Sequence, residues 1–148
     1  MLCIEDMSIV RGSGEQAHRV CLPALTLPLG QVVAVTGESG CGKSTLLEVI
    51  GLLLSPSRVG RFEMDFIDAA PAVVDIAHLL AANDQAALAD IRAARIGFML
   101  QSGGLLPFLT VRDNISLPRR LLGMSAWSAH IDHAVEVLRL QGLLDKQP

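Results

Sequence analysis

Hydrophobic and polar positions change period several times along the 148 residues, and each change marks a predicted element. From Leu2 to Val10 apolar and polar residues roughly alternate and β-branched residues are frequent; the breaker run Gly12-Ser13-Gly14 follows. Arg19 to Leu27 is a second extended stretch, interrupted by Pro23 and followed by Pro28, and the pair predicts an antiparallel hairpin with irregular edges. Gln31 to Thr36 holds the continuous apolar run Val32-Val33-Ala34-Val35 and enters a glycine-rich turn directly, which predicts a strand buried on both faces. Lys43 to Leu54 reads as a helix and Arg61 to Phe66 as a strand. In the alanine-rich region beyond, Asn83 or Asp84 caps a helix over Gln85 to Arg95. Ile96 to Leu100 returns to strand character. After a loop containing Gly103-Gly104 and Pro107, Thr110 and Asp113 stand at capping-box spacing and open a helix toward Leu122. In the last helix Trp127, Ile131, Ala134, Val135 and Leu138 share a face at spacings of three and four, with Gly142 where a C-cap glycine is expected. The elements together predict an α/β chain.

Composition narrows the class. Apolar residues make up 51% and charged residues 18%, which excludes a disordered tail, and the length suits one domain or part of one. With 12 basic and 15 acidic residues the net charge is -3 and no basic cluster is present, so no nucleic-acid partner is expected. The longest near-apolar stretch, Val49 to Leu54, is too short to span a bilayer, and Glu5 and Asp6 stand where a signal peptide carries positive charge, so a cytosolic location is expected. Three cysteines (Cys3, Cys21, Cys41) with no paired spacing read as reduced thiols, and the four histidines form no ligand pattern.

Gly37-Glu38-Ser39-Gly40-Cys41-Gly42-Lys43-Ser44 matches G-x-x-x-x-G-K-[ST], between an apolar strand and a helical run as the motif requires. Its glycines let the backbone turn around an anion, so that successive N–H groups and the following helix N-terminus point at a β-phosphate. Lys43 would place a charge at the β- and γ-phosphates, Ser44 would give its hydroxyl to Mg²⁺, and Thr45 could bond the α-phosphate. Cys41 is read as a small residue that fits; the alternative is a thiol made reactive by Lys43 and the helix N-terminus.

The run Arg95-Ile96-Gly97-Phe98-Met99-Leu100-Gln101 leads into Leu105-Leu106-Pro107-Phe108-Leu109-Thr110-Val111 and Asn114-Ile115. With the phosphate loop and Thr45-Leu46-Leu47, it resembles the ATP-binding subunits of ABC transporters, closest to the lipoprotein-releasing and macrolide-export type. The resemblance implies an ABC-type P-loop NTPase fold: N-terminal antiparallel strands, a partial parallel core sheet with the P-loop helix, and the start of a helical subdomain. It divides residues 1–148 into a core part through Gln101 and a part from 102 that begins the helical subdomain. It implies ATP and Mg²⁺ bound by Gly37 to Thr45, Lys43 and Gln101 as catalytic residues, and Ser44 and Gln101 as metal ligands. It also implies a homodimer or pseudo-dimer, a membrane-spanning subunit contacted near Gln101 to Asn114, and a peripheral position on the cytoplasmic face of the inner membrane. A neutral glutamine suits its role because its amide can accept from water or ligate a metal without stranding a charge.

The chain departs from the pattern in several places. It has no tyrosine, and Val10 or Arg11 stands about where the family stacks an aromatic on adenine; Arg11 can stack through its guanidinium. Asp65 to Arg95 is longer than expected and reads as a variable insertion without assigned chemistry. Leu138 to Pro148 resembles the run before the LSGGQ signature, which is not among the 148 residues, nor are a Walker B aspartate with its glutamate or the switch histidine. The chain is therefore expected to bind ATP without turning it over alone; the alternatives are a truncated non-hydrolysing fragment, or a small P-loop kinase in which Val73-Val74-Asp75 holds Mg²⁺.

Overall fold

The computed structural model describes residues 1–14, 17–67, 72–100 and 103–148. They form two compact units, Met1–Gly97 and Phe98–Pro148.

In the first unit β1 (Leu2–Arg11) and β2 (His18–Leu27) make the expected hairpin, in register from Leu2 opposite Leu27 to Arg11 opposite His18. β3 (Arg61–Asp65) pairs with the other edge of β1 and β4 (Val73–Asp75) with β3, giving the order β2-β1-β3-β4 with every described ladder antiparallel. Simple alternation does not explain what β1 buries, since Ile4 lies on one parity and Met7 and Ile9 on the other. Asp6 stands between them in the left-handed region at φ +51°, and its place in the ladder falls opposite Pro23, which has no N–H to give. The turn there shifts the pleat by one residue, so both halves of β1 meet the same core.

That core joins Ile4, Met7, Ile9, Phe62 and Met64 of the sheet to Val49 of α1 (Lys43–Ile50), Leu52 just after it, Ile76 of α2 (Ile76–Ala81) and Leu88 of α3 (Gln85–Arg95). α1 stops at Ile50 rather than at Leu54, because Gly51 closes it and Leu52 turns left-handed at φ +57°. Asp84, not Asn83, caps α3, accepting from Ala87 N at 3.0 Å. The described part of Asp65 to Arg95 thus supplies β4, α2, α3 and two core residues. At the exposed start of β3, Arg61 lies 2.8 Å from Glu63 and 3.2 Å from Glu5, and these carboxylates push its guanidinium pKa above the ordinary value.

Two expected strands are not formed. Gln31 to Thr36 has no ladder partner and Val32 is 98% exposed, with Val33 and Val35 also exposed. Ile96 to Leu100 likewise joins no ladder, and Met99 is exposed. An apolar run becomes a doubly buried strand only where neighbours satisfy its N–H and C=O groups on both edges. Among the described residues no strand lies beside either segment, so the parallel part of the sheet is not seen there.

In the second unit α4 (Val111–Leu121) begins as its sequence signals: Thr110 Oγ1 accepts from Asp113 N at 3.1 Å and donates to Asp113 Oδ2 at 2.7 Å. Its first two N–H groups, of Val111 and Arg112, donate to Lys146 O and Leu144 O, so the last residues of the chain satisfy the helix start. α5 (Ala129–Val137) buries Val135 and half-buries Ile131, but Ala134 and Leu138 of the expected face are exposed. It ends before Gly142: Arg139 takes the left-handed position at φ +55° while Leu140 N donates to Val135 O, and Gly142 falls in a 3-10 turn over Gln141–Leu143. Trp127, expected in the core, is half-buried, with Arg112 4.9 Å above its ring and its Nε1 donating to Asp132 at 2.7 Å.

Asn114 ties the preceding loop to α4. Its Oδ1 accepts from Leu106 N at 2.8 Å, and its Nδ2 donates to Leu106 O, Leu109 O and Thr110 O at 3.1, 3.3 and 3.0 Å. Asn114→Ala should cost about 1–3 kcal/mol in urea unfolding by stranding Leu106 N. Asn114→Asp turns a carboxylate oxygen toward three carbonyls, which raises its folded pKa above the unfolded value. Its stability should therefore be fullest below the unfolded pKa, fall as pH rises from there through the raised folded pKa, and return on acidification, while the parent shows no such dependence at this position.

Candidate functional site

The segment from Gly37 to Thr45 places its groups by backbone shape. Gly42 lies at φ +100° and immediately precedes α1, a conformation that side-chain-bearing residues rarely adopt. Space closes on it as well: a Cβ added there would fall inside the side chain of Val20 on β2. A Cβ added at Gly37, at φ +150°, would stand 2.9 Å from Cys41 Sγ.

Because Gly42 carries no side chain, α1 opens with no side-chain cap, as α5 does behind Ser128, whereas α2, α3 and α4 are capped by Asp75, Asp84 and Thr110. The first N–H groups of α1 are thus left for an external acceptor, with the positive end of the helix dipole behind them. Lys43 folds back over the loop, its Nζ donating to Gly37 O at 2.9 Å and Glu38 O at 2.7 Å and standing 3.8 Å from Cys41 Sγ. The ammonium braces the turn from inside and adds its charge there. Gly37 to Cys41 and Ser44 are exposed, while Gly42, Lys43 and Thr45 are half-buried. This donor set suits a polyphosphate: uncapped backbone N–H groups, one ammonium, and the Ser44 hydroxyl for a hard cation that prefers oxygen ligands. Ser39 and Gly40 lie in the same exposed turn. Among the described residues no group of three or more His, Cys, Asp or Glu could hold a metal ion.

Other candidates are placed less centrally. Gln101 lies outside the described residues. Arg11 is ion-paired with Glu48 on α1 rather than free in solvent. Asp75 is occupied as the cap of α2, accepting from His78 N at 2.9 Å, at the outer edge of the sheet, so the metal-holding role weighed for it gains no support. Sequence reasoning missed two residues, Val20 and Glu48. Val20 is one apolar residue among several on β2, and nothing in its spacing announces that it meets Gly42. An apolar cavity of about 360 Å³ between Leu27, Leu29, Ile50, Met64 and Phe66 contains none of the loop residues in its lining.

Comparison with known proteins places these features in a family. The ABC transporter family profile matches residues 23–148. The chain is 35% identical over its whole length to the macrolide export ATP-binding/permease protein MacB of Neisseria gonorrhoeae, of which it spans 22%. It is 37% identical over 122 residues to the ABC transporter ATP-binding protein YvrO of Bacillus subtilis, covering 82% of this chain and 48% of that protein. Among solved structures it resembles a dimeric ATP-binding cassette in a post-hydrolysis state bound to ADP and Pi, with TM-score 0.74 and 26% identity over all of this chain and 62% of that one.

Substituting Gly42 tests the loop geometry. Gly42→Ala should abolish anion binding, since the methyl meets Val20 and the left-handed φ is strained, while far-ultraviolet circular dichroism stays close to that of the parent. Retained binding of Mg-pyrophosphate in calorimetry would show that the turn is not required.

Proposed function

The chain belongs to the ABC transporter family, and from that premise we propose that it binds Mg-ATP on Gly37 to Thr45 as the nucleotide-binding component of such a transporter. The observation that carries the reading is the uncapped start of α1 beside Lys43: donors and positive charge gathered in an exposed turn with no side-chain cap. Backbone N–H groups of the loop would hold the β-phosphate, Lys43 would offset charge at the β- and γ-phosphates, and Thr45 would bond the α-phosphate. Ser44 would ligate Mg²⁺. Gln101 completes the metal and water surroundings in this reading, a role carried by the sequence resemblance alone. ATP supplies the cleavable phosphoanhydride; these residues bind and orient it.

The core part through Gln101 carries the loop, and residues from 102 begin the helical part. Leu105 and Phe108, both exposed before α4, support a contact with a membrane-spanning subunit. The solved relative is a dimer and the curated one is named an ATP-binding/permease protein, which supports a paired arrangement on the cytoplasmic face of the inner membrane. No helix among the described residues is long and apolar enough to cross a membrane. Hydrolysis driving transport then belongs to the assembled, dimeric protein.

The test is Mg-ATP binding and turnover on the 148-residue protein beside Lys43→Ala, with folding followed by circular dichroism. The parent should bind, the variant should lose binding by 100-fold or about that, and turnover should stay at background. Phosphate release or phosphorylation of a small acceptor by the isolated chain would replace this reading with a phosphotransferase.

A further inference from the structure

We propose that Val20, on β2, is a positioning residue for the phosphate loop: its side chain is the surface against which Gly42 is held, and this contact keeps the left-handed turn that aims the first N–H groups of α1. Three observations converge on it. A Cβ built at Gly42 would penetrate Val20, meeting its Cγ2 first and standing 3.2 Å from its Cγ1 and 3.4 Å from its own Cβ, so the backbone at Gly42 lies directly on the valine. Val20 is itself backed by the core, packing against it and standing opposite Ile9, which is 2% exposed. A β-branched side chain so held has little χ1 freedom, which makes a stiff ledge. Further along α1, Arg11 at the end of β1 pairs with Glu48, so the same hairpin holds the helix at a second point. Gln31 to Thr36 lies outside any described ladder, and the Val20 contact joins the loop to the sheet.

Val20 in this account touches no ligand; it acts through Gly42. Its effect on affinity rests on the nucleotide reading above, but its effect on the loop does not, and that separates the two. Without ligand, Val20→Ala should speed amide hydrogen exchange at the loop–helix junction, read at Leu46 whose N–H donates to Gly42 O at 2.9 Å, by about tenfold while leaving Ile4 and Phe62 unchanged. Val20→Thr, which keeps both γ positions, should hold the parental rate, as should Cys21→Ser, the exposed neighbour on the strand. In calorimetry Val20→Ala should weaken Mg-ADP and Mg-pyrophosphate by the same factor, again about tenfold. Unchanged exchange at Leu46, or acceleration spread equally over Ile4 and Phe62, overturns the proposal. So does a loss for Mg-ADP with Mg-pyrophosphate unaffected, which would make Val20 a wall for the nucleoside. If the parent binds neither probe, the nucleotide reading falls while the exchange comparison still judges Val20.

Discussion

A strand presents alternate residues to one face, so a strand that must bury residues of both parities on one side has to break its own period. β1 does so once, at Asp6, where φ +51° replaces an extended conformation opposite Pro23. The left-handed residue costs about 1–2 kcal/mol. The shift lets Ile4 join Met7 and Ile9 in one core, and burying that further side chain returns about 1.5–3 kcal/mol, which offsets the turn. The remaining elements follow from that face. β3 brings Phe62 to it, α1 lays Val49 on it, and α1 in turn carries Lys43 and the loop at its start.

The phosphate loop is a local imbalance of donors over acceptors. The starts of α2, α3 and α4 are quenched by Asp75, Asp84 and Thr110, and α4 takes two further acceptors from the carbonyls of Leu144 and Lys146; α5, behind Ser128, is uncapped like α1 but has no lysine at its start and no glycine turn immediately before it. α1 has glycine at the equivalent position and nothing in its place. Lys43 does not relieve the imbalance, because it donates as well; its bonds to Gly37 O and Glu38 O neutralise carbonyls on the far side of the turn. What remains is a concentration of N–H groups and one positive charge in a chain whose net charge is -3, so the attraction for an anion is local rather than global.

Much of this was legible in the sequence, where local chemistry decides it. α3 with its cap, the Thr110–Asp113 start of α4 and the phosphate-loop motif each depend on residues within a few positions of one another, and the hairpin shows as two alternating runs on either side of a glycine-rich break. The ends of α1 and α5 were harder to read because Leu52 and Arg139 adopt left-handed backbone without being glycine. The Gly42–Val20 approach was invisible for a different reason: it joins residues 22 positions apart that no spacing rule connects. Gln31 to Thr36 reads as a buried strand from its valines, but burial belongs to neighbours, and composition does not provide them.

That segment makes the anchoring of the loop one-sided. Downstream, α1 is fixed by the core through Val49, by Val20 at Gly42 and by the Arg11–Glu48 pair. Upstream, Val32, Val33 and Val35 are exposed, and the ladder positions of 31–36 are unpaired among the described residues. An apolar run whose N–H and C=O groups are outside any ladder keeps its valines in water, at a cost in free energy. Gly37 joins this arm directly to the loop, and it is there that Lys43 takes hold, donating to the carbonyls of Gly37 and Glu38. The loop is therefore held by Lys43 from within and by α1 from behind, while the backbone that enters it at 31–36 has no ladder among the described residues.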